Sequence, residues 1–378
     1  MMVGRTAPEL RTATGLAPRV DQIEVGAYTI PTDAPEADGT LAWDSTTIVV
    51  VHVHAAGISG LGYTYADLST ATLIETKLAD VVRGADATAP RGAWAAMVHA
   101  TRNLGRPGIT SMAISAVDVA LWDLHARLLG APLARVLGAG RDHVPVYGSG
   151  GFTAYSNERL AEQLAGWVDA GIPRVKMKVG THPEDDPERV RVAREAIGPG
   201  TELFVDANGA YSVKQAIALA DTFCEQARVS WFEEPVSSDD LAGLALVRDR
   251  APAGMDVAAG EYGYDAVYFE RMVSAGAVDV LQADITRCGG VTELLRAGAI
   301  CRAHSLPLSL HCGPAIHVHA ATALQQLRHL EYFHDHVRIE RLLFDGLPEL
   351  RDGALWPDLD RPGLGLELKR SDAEAYAA

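Results

Sequence analysis

The strongest constraint on the fold is a rhythm that begins near residue 144, where short uninterrupted apolar runs alternate with amphipathic stretches. The runs are VPVYG from Val144, RVKMKV from Arg174, ELFVDAN from Glu202, SWFEEP from Ser230, DVAAGE from Asp256, DVLQAD from Asp279, PLSLHC from Pro307 and HLEYF from His329. Between them lie segments of helical period such as NERLAEQLAGWVDAG and PERVRVAREAIG. A strand that is apolar on both sides must be covered on both faces. Seven or eight such β/α units in series therefore give a parallel sheet sheathed in helices. A closed TIM-type (β/α) barrel over residues 144–343 is the economical arrangement, with a doubly wound open sheet as the alternative.

Residues 1–143 read differently. Residues 20–30 (VDQIEVGAYTI) and 46–54 (TTIVVVHVH) are rich in β-branched side chains with partial alternation, as in an antiparallel sheet. Between them, residues 31–44 carry Pro, Asp and Gly at turn positions and are expected to form a mobile loop that includes Trp43. Residues 109–129 (ITSMAISAVDVALWDLHARLL) are apolar around most of a helix, which is expected to be buried between layers and stopped by Gly130. These features describe an α+β capping domain. Its first 17 or so residues, rich in Thr, Ala, Pro and Gly, are expected to be frayed. Residues 344–378, with Pro348, Pro357 and Pro362, are expected to return irregularly and pack on it.

In a parallel barrel the loops that follow the strands converge on one mouth, so the ionisable residue at each strand end carries information. The series is Lys176 and Lys178, Asp206, Glu233 and Glu234, Glu261, Asp284, His311 and Glu331. From Lys178 onward the steps are 28, 27, 28, 23, 27 and 20 residues. One acidic strand end commonly caps the next helix. A whole series at the ends of apolar strands needs a shared cause, because a buried carboxylate must be paired or bound to metal. Asp206, Glu233 and Glu261 come from consecutive strands, and three hard oxygen ligands without Cys or His favour Mg²⁺ over zinc. Glu234 then faces the other side of its strand and is expected to close an ion pair. Lys176 and Lys178 share a face, and their flanks Val175, Met177 and Val179 place them inside the barrel. There two ammonium groups beside a divalent cation are expected to be pushed toward the neutral, base-competent form. His311 is either a base made more basic by Asp284 or a core histidine satisfied by a backbone carbonyl.

These residues, in this order, closely resemble the enolase superfamily, in particular its mandelate racemase branch, over nearly the whole chain. The resemblance implies a modified (β/α)7β barrel at residues 144–343 and an α+β cap at residues 1–143 that residues 344–378 complete. It implies that Lys178 of VKMKV is the acid/base on one face with Lys176 as its partner. Asp206 of VDAN, Glu233 of WFEEP and Glu261 of AAGE match the Mg²⁺ ligands. Asp284 of QADITRCGG and His311 of LSLHCG match a dyad on the opposite face. Glu331 of HLEYF matches the residue that hydrogen-bonds the substrate carboxylate; it must be protonated to do so, and its pKa is expected to be raised. The implied activity is Mg²⁺-dependent removal of the α-proton of a carboxylate substrate through an enediolate, as dehydration of an acid sugar to a 2-keto-3-deoxy acid. Racemisation or epimerisation would use the same two bases, and a sugar-acid binding protein that lost the chemistry is a third reading. Galactonate- and mannonate-type dehydratases place a His two residues after the first metal ligand, where this chain has Asn208, which argues against those two substrates. Asn208, with Trp43 and Tyr63 of two cap segments, is a candidate for substrate contact.

Charge and composition narrow the partners. With 33 Lys and Arg against 49 Asp and Glu, the formal charge is −16 and no basic block exists to displace the counterions of a nucleic acid. The apolar runs are too short to span a bilayer, and the N-terminus has no apolar signal core. Cys224, Cys288, Cys301 and Cys312 form no CxxC pair, which suits a reducing, cytoplasmic setting. A homo-oligomer acting on a small carboxylate, with neither nucleic acid nor membrane as partner, is expected. His52 and His54 share a strand face and read as solvated. His317 and His319 are expected to diverge on a helix after Pro314. Gly148, Gly150 and Gly151 lack dinucleotide-fingerprint spacing and read as room at the mouth.

Overall fold

The computed structural model describes residues 17–378; residues 1–16, on which most of the expected frayed start falls, lie outside the described residues. The cap opens with an antiparallel sheet of β1 (Gln22–Ala37), β2 (Ala42–Ala55) and β3 (Ile58–Tyr65) in that spatial order. Residues 31–44 are not an irregular loop. Strand pairing runs from Gln22↔His54 to Pro31↔Ser45, shifts at a bulge that absorbs the prolines, and resumes at Glu36↔Trp43 and Ala37↔Ala42. Asp38 closes the hairpin tip, its Oδ1 accepting from the N–H groups of Thr40 (2.6 Å) and Leu41 (2.7 Å). The neighbouring Gly39 is obligatory by contact: a Cβ there would lie 2.3 Å from the Ala207 carbonyl and 2.7 Å from that of Val179. The hairpin thus rests on the barrel mouth.

The barrel strands are β4 (Val144–Gly150), β5 (Arg174–Lys178), β6 (Glu202–Asp206), β7 (Val229–Glu233), β8 (Asp256–Ala259), β9 (Val280–Ala283), β10 (Leu308–Leu310) and β11 (Leu327–Phe333). Each pairs in parallel with the next, and β11 closes on β4 through Leu330↔Val146 to Phe333↔Ser149. Helices fill the seven intervals, and a further helix, His334–Leu343, leads out of β11 into the tail. One layer below the strand ends, Tyr147, Phe204 and Trp231 form an aromatic floor, with Phe204 stacked on Trp231 at 5.2 Å and Tyr147 edge-on to His329 at 4.7 Å.

The return of the tail divides between the two parts of the molecule. Its hairpin, β12 (Glu349–Arg351) and β13 (Ala354–Trp356), adds antiparallel to the start of barrel strand β4 rather than to the cap. The remainder reaches the cap. Asp123 accepts from the N–H groups of Leu61 (2.7 Å) and Leu364 (2.5 Å), Arg127 pairs with Glu367 at 2.6 Å, and the N–H of Ala378 donates to the Ala27 carbonyl at 3.0 Å. His317 and His319 do diverge, both buried: His317 Nε2 accepts from the Ile285 N–H (2.8 Å) and His319 Nδ1 from that of Ala134 (3.3 Å). Among the described residues no helix is long and apolar enough to cross a membrane.

The buried helix Ile109–Leu128 joins cap to barrel. Its Asp118 accepts from the Thr292 N–H (2.9 Å) and hydroxyl (2.7 Å), and that hydroxyl accepts from Trp122 Nε1 at 3.0 Å. Gly290 permits the approach, since with φ +82° a Cβ would stand 2.4 Å from Asp118 Oδ2. Burial pushes the Asp118 carboxyl up from 3.8 to about 7, the two Thr292 bonds only partly opposing it. Between those values the folded state keeps a proton that the unfolded chain has released, so the contribution of Asp118 to stability falls as pH rises through that window. An amide keeps one acceptor and one donor for Thr292 and cannot ionise. The Tm of Asp118→Asn relative to the wild type is therefore expected to climb between about pH 4 and about pH 7. A flat difference across thermal melts would refute the assignment.

Candidate active site

The geometry of the mouth follows from strand register. Lys178 lies opposite Asp206 and Asp206 opposite Glu233, so parallel pairing sets the three charged groups in one row; the next partner is Ala258, two residues beyond which the chain turns at Gly260 to bring in Glu261. Period two puts Lys176 one step deeper on the same face. Lys178 Nζ is 2.5 Å from Asp206 Oδ2, and Lys176 Nζ is 3.2 Å from that oxygen, 2.9 Å from Glu331 Oε1 and hydrogen-bonded to Glu233 Oε1. Across the mouth, His311 Nδ1 meets Asp284 Oδ2 at 2.8 Å, while its Nε2 is 3.3 Å from Glu261 Oε2 and 3.7 Å from Glu331 Oε2. Asp284 is itself fixed by the Thr286 N–H (2.7 Å) and hydroxyl (2.8 Å). All eight of these ionisable residues are buried.

Burial disfavours both ammonium groups, yet Glu233 and Glu331 hold Lys176 well above its usual range, and Asp206 raises Lys178 as well. Carboxylates outnumber ammonium groups here, and the neutral lysines expected beside a divalent cation require the charge of that cation as well. Two other groups depart from expectation. Burial pushes the Glu331 carboxyl up, but Lys176, His311 and Lys178 together draw it well below 4.5, the reverse of the expected rise. Among the described residues Glu234 closes no ion pair: its φ of +37° takes it out of the strand, and its Oε1 is buried without a partner there. Burial, then the neighbouring Glu261, Asp206 and Glu233, hold its carboxyl far above the usual range.

Asp206, Glu233 and Glu261 present ligand oxygens all within 4.8 Å of one another, and Glu261 Oε2 has no hydrogen-bond partner. Burial raises Glu233 to about 8 with Asp206 as the next cause, whereas the two lysines overcome burial to hold Asp206 near 2. Such crowding of buried carboxyls fits a hard divalent cation, which can bind all three.

A cavity of about 430 Å³ opens over this floor, and Lys178, Asn208, Glu261, His311 and Trp43 line it. Asn208 has a buried Oδ1 without a partner, and Trp43 stands edge-on to Phe152 at 5.6 Å. Tyr63 does not reach the cavity; it is fully buried, with its hydroxyl on Glu340 Oε1 at 2.6 Å. Two residues on, Tyr65 lines the wall and stacks on His336 at 3.4 Å. The wall residues that the sequence reading missed include His336, Cys312 and Arg287. Arg287 bridges Glu261 Oε1 (3.0 Å) and Asp284 Oδ2 (3.7 Å), and its place three residues after Asp284 was the available signal.

Known proteins align with both parts of the chain. Residues 28–138 match the model of the mandelate racemase / muconate lactonizing enzyme N-terminal domain, and residues 159–373 the enolase C-terminal domain-like model. The protein is thus an enzyme of the enolase superfamily. It belongs to the mandelate racemase / muconate lactonizing enzyme family. A mandelate racemase/muconate lactonizing enzyme-like protein from Rubrobacter xylanophilus is 60% identical, with TM-score 0.94 over 96% of this chain and 100% of that one. L-talarate/galactarate dehydratase of Salmonella typhimurium is 29% identical over 96% of this chain and 92% of its own. A mutant L-talarate/galactarate dehydratase liganded with Mg and L-glucarate superposes with TM-score 0.88 at 28% identity, over 100% of this chain and 96% of the other. The 3,6-anhydro-alpha-L-galactonate cycloisomerase of Streptomyces coelicolor is 31% identical over 92% and 97%.

Mg²⁺ affinity, measured by calorimetry, is expected to fall about tenfold or more in Glu233→Gln and in Asp206→Asn while the thermal transition persists. Unchanged affinity in either variant would remove that residue from the ligand set.

Proposed function

We propose that the protein is a Mg²⁺-dependent hydro-lyase that dehydrates an acid sugar to a 2-keto-3-deoxy acid. The observation that carries the reading is the entry of two acid/base groups, Lys178 from β5 and His311 after β10, into one cavity over a carboxylate trio. Asp206, Glu233 and Glu261 hold the cation. When bound, Mg²⁺ supplies a Lewis acid for the substrate carboxylate. Lys176 stands ready for the charge that spreads onto that carboxylate as the α-proton leaves. One of Lys178 and His311 takes the α-proton, and the other donates a proton to the β-hydroxyl, which departs as water; the enol then tautomerises to the keto acid. Asp284 keeps the His311 imidazole oriented and favours its protonated form. A substrate carboxylate competes with Glu331 for Lys176, which leaves Glu331 beside a second anion and raises its carboxyl, so that it can donate a hydrogen bond.

The outer wall supports a narrower substrate class. Asp38 and Asp67 line it with Ser45 and Thr47, and Arg287, the one guanidinium among the described lining residues, is already matched by Glu261 and Asp284. Such a wall suits a neutral polyhydroxy tail, hence a mono-acid sugar. Four free cysteines and the exposed Leu41, Leu104 and Leu129 are consistent with a cytoplasmic, self-associating enzyme.

Turnover of a library of mono- and di-acid sugars to 2-keto products is expected for mono-acids in the presence of Mg²⁺, and silence across the library would overturn the reading. Glu331→Gln retains a donor and is expected to keep more activity than Glu331→Ala; equal losses would exclude the hydrogen-bond role. In a slow analogue without the β-hydroxyl, His311→Asn is expected to stop deuterium uptake from D₂O into one α-epimer, and Lys178→Met into the other. Loss of exchange from both epimers in either variant, with Mg²⁺ still bound, would show that the two bases do not serve opposite faces. Interconversion of the epimers without water loss on a true β-hydroxy acid would favour an epimerase.

A further inference from the structure

We infer that Asp33, Glu36 and His334 form a second divalent-cation site, of the zinc class, that fastens the capping hairpin to the barrel rim. Asp33 and Glu36 lie on the outer half of β1, and His334 is the first residue of the helix after β11. Their ligand atoms all lie within 4.8 Å of one another, and His334 Nε2 is 3.0 and 3.1 Å from the two Asp33 oxygens.

Glu36 is the observation that asks for a ligand. It is 1% exposed, its Oε1 is buried without a partner, and its Oε2 accepts only from Trp43 Nε1 at 2.8 Å. The neighbouring Tyr155, 6% exposed, also has a buried hydroxyl without a partner. The local cations are engaged elsewhere or reach only Asp33. Arg159 stands 3.9 Å from Asp33 Oδ2, and Arg338 is spent on Asp335 and the Pro31 carbonyl, each at 2.6 Å. Burial, with Asp335 as the next cause, pushes the Glu36 carboxyl up to about 8, so without a cation it keeps its proton at neutral pH.

One imidazole and two carboxylates make a borderline-soft donor set. Three protein ligands with a fourth position for water suit tetrahedral Zn²⁺ better than octahedral Mg²⁺, and so distinguish this site from the all-carboxylate trio in the mouth. Occupancy has a mechanical consequence. The cation would tie Glu36 to the barrel helix, and Glu36 holds the indole of Trp43, which lines the substrate cavity. The hairpin tip, with Leu41 65% exposed, would then be held down at its base.

The test is a Zn²⁺ titration of the full chain in excess Mg²⁺, followed by calorimetry. The expected result is a Zn²⁺ event that weakens about tenfold or more in Asp33→Asn and in His334→Gln and persists in Glu233→Gln and Cys312→Ser. Asp33 is exposed, so its variant tests the site without risk to the fold. Absence of the event, its indifference to Asp33→Asn and His334→Gln, or its loss in Glu233→Gln or Cys312→Ser overturns the site. Zinc is also expected to slow chymotryptic cleavage after Leu41 in the wild type but not in Asp33→Asn; equal cleavage with and without zinc overturns the clamp.

Discussion

Everything at the mouth depends on one lateral row of charge, Lys178 beside Asp206 beside Glu233, laid down by parallel strand register. Taking any of these groups out of water alone costs several kcal/mol, about the whole net stability of a domain. Together they are tolerable because each opposite charge is within reach of the next. The row also dictates what surrounds it. The strands beneath must be apolar and fixed in register, the aromatic layer of Tyr147, Phe204 and Trp231 must seal the floor, and the hairpin must cover the top without adding a Cβ at Gly39.

The same arrangement explains a division of labour. The buried charged residues sit at the ends of rigid strands, where a shift of an ångström would break several ion pairs at once. Residues of the outer cavity wall, Trp43, Ser45, Tyr65 and Asp67, come from the cap. At the mouth the two are joined by specific contacts. Tyr65 stacks on His336, Nδ1 of which accepts from the Gly313 N–H at 3.1 Å, and Thr46 donates to Asp335 at 2.5 Å. Specificity can therefore change in the cap while the chemistry at the strand ends stays in place.

The barrel was legible because an apolar run that ends in a charge is a local pattern, repeated along one chain. What the sequence hid depends on non-local geometry. In YTYAD either tyrosine could face the mouth, and the choice rests on the pairing Val50↔Tyr63, which no local pattern specifies. Glu234 was assigned by the period of a strand that its own positive φ ends. The ionisation of the lysines and Glu331 reflects the carboxylates and cations gathered from six strands, a balance that only the closed barrel brings together. In residues 31–44 the Pro, Asp and Gly residues suggest a mobile loop, but a register shift lets strand pairing resume at Glu36 and leaves only a tight tip at Asp38.

Asp123 carries a consequence for the order in which the protein is made. It sits buried in the cap helix, and one of its ligands, the Leu364 N–H, lies 241 residues further along the chain. A ribosome delivers that helix early and its partner late, with the entire barrel in between. Until then Asp123 has Leu61 and Arg127 to satisfy it; in the finished fold burial pushes its carboxyl up to about 6, against the pull of Arg127, Leu364 and Leu61. The cap can be begun first but finished only last, so the lid over the catalytic mouth is completed after the chemistry beneath it has been assembled.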